Sequence, residues 1–131
     1  MFEDLHYLLY STILLFLQLL GASLLKARAW TIAGLVLAFG NRDQLPDPAP
    51  VMARADRAAK NMLEAMVLFA PVLLAGHVAG VDPSRVLWGA KVFFFNRVAY
   101  AVVYIAGITY VRTLIWAFSL VGIGAIMSTL L

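Results

Sequence analysis

"RADRAAKNMLE", residues 54–64, stands immediately before a long apolar run. At about 100° per residue, Arg54, Arg57, Asn61 and Glu64 share one narrow arc of a helix. Lys60 lies at the edge of that arc and Asp56 points elsewhere. A carboxylate among Met62, Leu63, Met66 and Val67 is costly unless it is partnered. Asn61 or Lys60 of the same helix is the expected partner.

Outward from this stretch, the composition sets the class. Of 131 residues, 63% are hydrophobic and only 13% are charged, well outside the range of soluble domains. A bilayer core about 30 Å thick is crossed by roughly 20 apolar residues in a helix. Four stretches approach that length: Leu5 to Leu25, Asn61 to Val81, Val86 to Ile108, and Thr113 to Leu131. The expected architecture is all-α, an integral membrane four-helix bundle forming a single domain over 1–131. Its helices are expected at about 5–25, 57–81, 86–108 and 112–131. The short connections at "DPSR" (82–85) and around Thr109 force antiparallel neighbours. The leading "MFEDLH" is acidic and the run behind it is long, so the first stretch reads as a retained helix, not a secretory signal.

The connection after the first helix is longer. "AWTIAGLVLAF" (29–39) is too short to span, and reads as an interfacial segment anchored by Trp30 or as an extension of the first helix. "GNRDQLPDPAP" (40–50) reads as an ordered, turn-rich connector. Lys26, Arg28, Arg42, Arg54, Arg57 and Lys60 gather in or beside this connection, so the positive-inside rule places it in the cytoplasm and both termini outside. Pro71 predicts a kink or one lost backbone hydrogen bond within the second helix. Ala75, Gly76, Ala79 and Gly80 predict close approach of a neighbouring helix.

The third helix has its own polar row. In "NRVAYAVVY" (96–104), Arg97, Tyr100 and Tyr104 share a face. Antiparallel topology brings this row to the level of the Arg57–Glu64 face, and Arg112 joins it from the fourth helix. Guanidinium groups recognise carboxylates by paired hydrogen bonds, Glu64 suits an ammonium, and phenols donate to an anion. The complementary ligand is small and zwitterionic, with more than one carboxylate; glutathione and other peptides or amino acids fit. With no cysteine in the chain, sulfur chemistry must come from a bound molecule.

These residues, "RADRAAKNMLE" with "NRVAYAVVY" and Arg112, resemble the membrane-associated proteins in eicosanoid and glutathione metabolism, the MAPEG family. The resemblance covers essentially the whole chain and implies a homotrimer of four-helix subunits, with glutathione as cosubstrate held between subunits. It implies that Arg57, Asn61 and Glu64 of the second helix and Arg97, Tyr100 and Tyr104 of the third bind glutathione. It further implies that Arg112, with Tyr104, acts at the sulfur, and that Arg28 is a weaker match to a first-helix contact. Leu68 stands where the family often has proline, and the spacing from Tyr104 to Arg112 varies in the family. The implied function is a glutathione-dependent transferase or peroxidase of detoxification, microsomal glutathione transferase-like. It would act on lipophilic electrophiles or hydroperoxides that enter from membrane lipid. No metal and no nucleic acid are expected, and a bacterial inner membrane is the expected location.

Other readings stand beside this one. A small proton-coupled multidrug exporter would use Glu64 as its proton carrier, although the neighbouring arginines would hold that carboxylate ionised. A catalytically silent MAPEG-like scaffold would bind glutathione without turnover. Arg54 and Lys60 suit anchoring to lipid phosphates, the tyrosines an aromatic belt, and Arg97 snorkelling. Trp30, Trp88 and Trp116 read as interfacial or packing residues, and Phe93–Phe95 as lipid-facing or core. His6 and His77, both expected near the outer face, are the only pair that could ligate a haem.

Overall fold

The computed structural model describes residues 2–27 and 50–131. Four helices follow in order: α1 (Glu3–Ala27), α2 (Pro50–Ala79), α3 (Pro83–Ala106) and α4 (Thr109–Ser128). Each contains a stretch long and apolar enough to cross a bilayer, and no strand occurs among the described residues. The segment 29–39, the connector over 40–49 and Arg28 lie outside the described residues.

The boundaries follow from local chemistry. Glu3 and Asp4 place negative charge on the first turn of α1, where the helix dipole favours it. α2 begins at Pro50, ahead of the expected start near 57. Proline at a first helical position has its φ preset and no N–H left unsatisfied, so the last connector proline opens the helix instead of ending the turn. The helix then runs on through Pro71 to Ala79. Gly80, at φ 63°, reverses the chain and donates its N–H to the Gly76 carbonyl at 3.2 Å. Asp82 caps α3, its side chain accepting the Arg85 N–H at 3.2 Å, with Pro83 next to it. Pro83–Arg85, expected in the turn, are therefore helical.

Lipid tails are as apolar as leucine, so close packing of side chains has to hold such helices together. The core joins α2, α3 and α4. Phe69 and Phe93 stack with centroids 3.8 Å apart and planes 8° from parallel, surrounded by Met62, Met66, Leu73, Val86, Ile123 and Ile126. α1 packs on this core through Tyr7, Leu8, Leu14 and Leu15. Of the three consecutive phenylalanines, Phe93 is buried, Phe94 half-buried and Phe95 exposed, and Tyr7 meets the edges of the latter two.

Of the small residues of α2, one takes part in a close helix approach. Gly76 is buried against Val86 and Ile126, but Ala75, Ala79 and Gly80 are exposed. A further close approach joins α3 and α4, where Gly89 meets Gly122. A methyl on Gly89 would lie 2.5 Å from the Gly122 carbonyl oxygen, and one on Gly122 would lie 2.6 Å from that of Gly89. At the end of the bundle where α1 begins and α2 ends, His77 Nδ1 and Asp4 Oδ2 lie 2.7 Å apart. His6 instead stacks on Tyr10, so the two histidines have separate partners.

Candidate functional site

The start of α2 and the end of α3 lie side by side, and their polar rows meet at successive levels. Arg54 Nε donates to the Ile105 carbonyl at 3.0 Å, and Arg57 Nε donates to the Tyr104 hydroxyl at 3.2 Å. One level deeper, Arg97 Nε donates to Met62 Sδ at 3.3 Å. α3 ends just beyond, at Gly107 (φ 83°), whose N–H bonds the Tyr104 carbonyl at 3.0 Å. That left-handed cap turns the chain into α4 and brings Arg112 back over the site. The Arg112 guanidinium stands 4.5 Å from the centre of the Tyr104 ring.

Tyr104 is therefore held from two sides: Arg57 reaches its oxygen and Arg112 covers its face. Because the Tyr104 oxygen accepts from Arg57, its own proton remains available for a further acceptor. Tyr100 follows one turn earlier, with its ring centroid 5.4 Å from that of Tyr104 and the Arg97 guanidinium 4.3 Å from its own. The row thus holds two rings flanked by two cations, in the order Arg97, Tyr100, Tyr104, Arg112. A cavity of about 220 Å³ opens beside this row, lined by Asn61, Tyr100, Arg112, Thr113 and Trp116.

Among the residues predicted from sequence, Asn61, Tyr100 and Arg112 line the cavity, and Arg57 and Tyr104 are bonded to each other next to it. Arg97 does not line it. Its side chain is 1% exposed, sealed between Met62 and Tyr100, so it does not snorkel to the interface. Glu64 is exposed. Neither Asn61 nor Lys60 serves it: Lys60 pairs with Asp56 at 3.2 Å, one turn back. The i, i+4 geometry that suits Lys60 to Glu64 suits it equally to Asp56, which lies nearer the helix start, where both side chains reach water.

Sequence reasoning missed two contributors. Trp116, read as interfacial or packing, lines the cavity together with Thr113; its spacing of four from Arg112 puts both on one face of α4 and was the available signal. Arg54, read as a lipid anchor, instead holds the end of α3. That required knowing which helix end it faces.

Several polar atoms here are buried without a partner. Asn61 Oδ1 has no donor, and Arg97 Nη1 and Nη2 have no acceptor. Buried groups of this kind are costly, and at a functional site they point to a ligand or ordered water. An unpaired amide oxygen asks for an N–H, and the cations favour an anion. A peptide bearing carboxylates, such as glutathione, has both. The cavity is nonetheless smaller than the roughly 300–1,000 Å³ usual for a small-molecule site, so one chain provides only part of an enclosure for a tripeptide.

The family model described as MAPEG family matches residues 7–131, which includes every described part of this site. No curated protein matches the chain. With four helices able to cross a membrane and a family match over nearly its whole length, this chain belongs to the MAPEG family, the membrane-associated proteins in eicosanoid and glutathione metabolism.

Proposed function

We propose that the protein is a membrane-bound glutathione transferase or peroxidase that attacks lipophilic electrophiles or hydroperoxides. The observation that carries this reading is Tyr104, fixed between Arg57 and Arg112 beside a cavity to which Arg112 also contributes. Glutathione supplies a thiol, whose thiolate is the nucleophile. In this reading Arg112 favours the negative charge on sulfur, and Tyr104, its oxygen already accepting from Arg57, directs its O–H toward the developing anion. Asn61 accepts an N–H of the peptide, and Tyr100 forms the wall between the cavity and Arg97. Trp116 and Thr113 border the side from which a lipophile arrives.

Glu64 fits the same reading through its exposure. It is exposed on α2 in the company of Leu63, Val67 and Leu68, where a carboxylate within lipid depth calls for a cation. A neighbouring subunit that brings the ammonium of bound glutathione to Glu64 would complete the enclosure that one chain leaves partial, and a homotrimer provides this three times. The basic end of the bundle then lies at the cytoplasmic surface of a bacterial inner membrane. An exporter would enclose its proton carrier within the bundle, and the exposure of Glu64 weighs against that use.

The test is turnover by the purified protein, in detergent or nanodiscs, with glutathione and either an aryl halide or a lipid hydroperoxide. Activity is expected, with Arg112→Ala lowering kcat by about 10²-fold while calorimetric glutathione binding persists. Binding without turnover of either substrate class would make the protein a silent scaffold. An Arg112→Ala rate equal to wild type would remove Arg112 from the chemistry.

A further inference from the structure

Gln18 lies in the inner half of α1, and both its Oε1 and its Nε2 are buried without a hydrogen-bond partner. Beside it opens a second cavity, of about 200 Å³, bounded by Leu17, Gln18, Gly21 and Ala22 of α1, Ala55 of α2 and Ile105 of α3. Every residue of this lining except Gln18 is apolar. The one polar side chain therefore carries a donor and an acceptor with nothing in the surrounding wall to meet either. Ser11, also buried and unpaired, borders none of the cavities described here, and Thr12 returns its hydroxyl to the Leu8 carbonyl at 2.9 Å. Among the described polar side chains of α1, Gln18 alone combines an unmet amide with adjoining space.

We propose that this cavity seats the head of a lipophilic molecule whose polar group both donates and accepts a hydrogen bond, as a hydroperoxide or a protonated carboxylic acid does. The O–H of such a head donates to Gln18 Oε1 and its second oxygen accepts from Nε2, satisfying both orphaned atoms at once. An ionised carboxylate suits Gln18 poorly, because it offers no proton to Oε1, and no cation lines the cavity among the described residues. Arg54, the nearest basic residue along α2, is committed to the Ile105 carbonyl. The hydrocarbon tail would leave over Leu17, which is 57% exposed at the rim and directed toward lipid.

The location gives the seat its role. Ile105, in the cavity wall, directly follows Tyr104, and Ala55 directly follows Arg54. A head held by Gln18 lies beside residues that adjoin Tyr104 and Arg54 in sequence. The cavity shares no lining residue with the one that Arg112 borders, so the seat holds its lipophile beside the sulfur site and not within it, with the hydroperoxide and the protonated fatty acid as its two candidate heads.

The experiment compares binding of three probes of equal chain length to the protein in nanodiscs without glutathione. They are an alkyl hydroperoxide, the fatty acid at a pH that keeps it protonated, and the methyl ether, which has no donor. Glutathione binding is measured separately. Wild type is expected to prefer the hydroperoxide and the acid over the ether by on the order of tenfold. Gln18→Leu should erase that preference while leaving ether and glutathione binding unchanged. This variant removes an unpaired buried amide and keeps an apolar side chain, so it should fold at least as well as wild type; Gln18→Met serves as its check. Preference for either donor-bearing probe, lost on substitution, supports the seat and identifies its head. Equal binding of all three to wild type, or a preference that survives Gln18→Leu, overturns it. If glutathione fails to bind while the Gln18-dependent preference holds, the catalytic reading falls and the seat stands.

Discussion

Arg57 Nε donates to the Tyr104 hydroxyl across 3.2 Å, joining the early part of α2 to the last turn of α3. The bond fixes the depth at which the two polar rows meet and leaves the Tyr104 proton free for another acceptor, since its oxygen accepts here. Arg112 over the same ring ties α4 into the arrangement. Three helices thus converge on one phenol.

Tyr104→Phe keeps the ring under Arg112 but removes the oxygen that Arg57 donates to. In the proposed reaction, kcat should fall by about tenfold or more, with a smaller change in KM. Steady-state kinetics of Tyr104→Phe beside Arg57→Lys checks this, because the lysine retains charge but cannot reproduce the Nε geometry. An unchanged kcat in both variants would leave the bond with a packing role only.

The end of α3 rests on Arg54 and Gly107. Gly107→Ala forces a β-carbon into left-handed backbone, at a cost of about 1–2 kcal/mol, and that carbon would also stand 3.5 Å from the Arg54 guanidinium. Arg54→Ala leaves the Ile105 carbonyl without its side-chain donor and should cost about 1 kcal/mol. Thermal unfolding in detergent should show both losses, and the double variant should lose less than their sum because the two act on one helix end.

At the opposite end, the Asp4–His77 pair ties the start of α1 to the last turn of α2, with both side chains largely buried. Asp4→Ala should destabilise by about 1–3 kcal/mol through the unpaired imidazole it leaves. A double-variant cycle with His77→Ala, read by thermal unfolding, should give a coupling above about 0.5 kcal/mol. Glutathione binding at the far end should be unaffected.

Gly89→Ala and Gly122→Ala each aim a methyl at a backbone carbonyl on the facing helix. Backbone cannot give way as a flexible side chain does, so each should cost about 1–3 kcal/mol. Gly124→Ala, in the same helix with nothing within 4 Å of the added carbon, should be neutral or stabilising by a few tenths of a kcal/mol. Equal melting temperatures across the three variants would contradict the α3–α4 contact.

The sequence by itself determined that the chain is an all-α membrane bundle and which residues share each helix face. Both follow from local quantities: the length of an apolar run against bilayer thickness, and the fixed 100° step that places Arg54, Arg57, Asn61 and Glu64 in one row and Arg97, Tyr100 and Tyr104 in another. What a row faces is not local. Only tertiary structure decided that Arg54 holds the Ile105 carbonyl, that Arg97 turns inward to Met62, that Glu64 is exposed, and that Gly89 and Gly122, 33 positions apart, meet across two helices. The physical reason is that periodicity fixes angles within one helix, while the relative rotation of two helices is set by side-chain packing across them. In an apolar chain that offers many interchangeable leucines and valines, no short stretch announces which surface will be chosen.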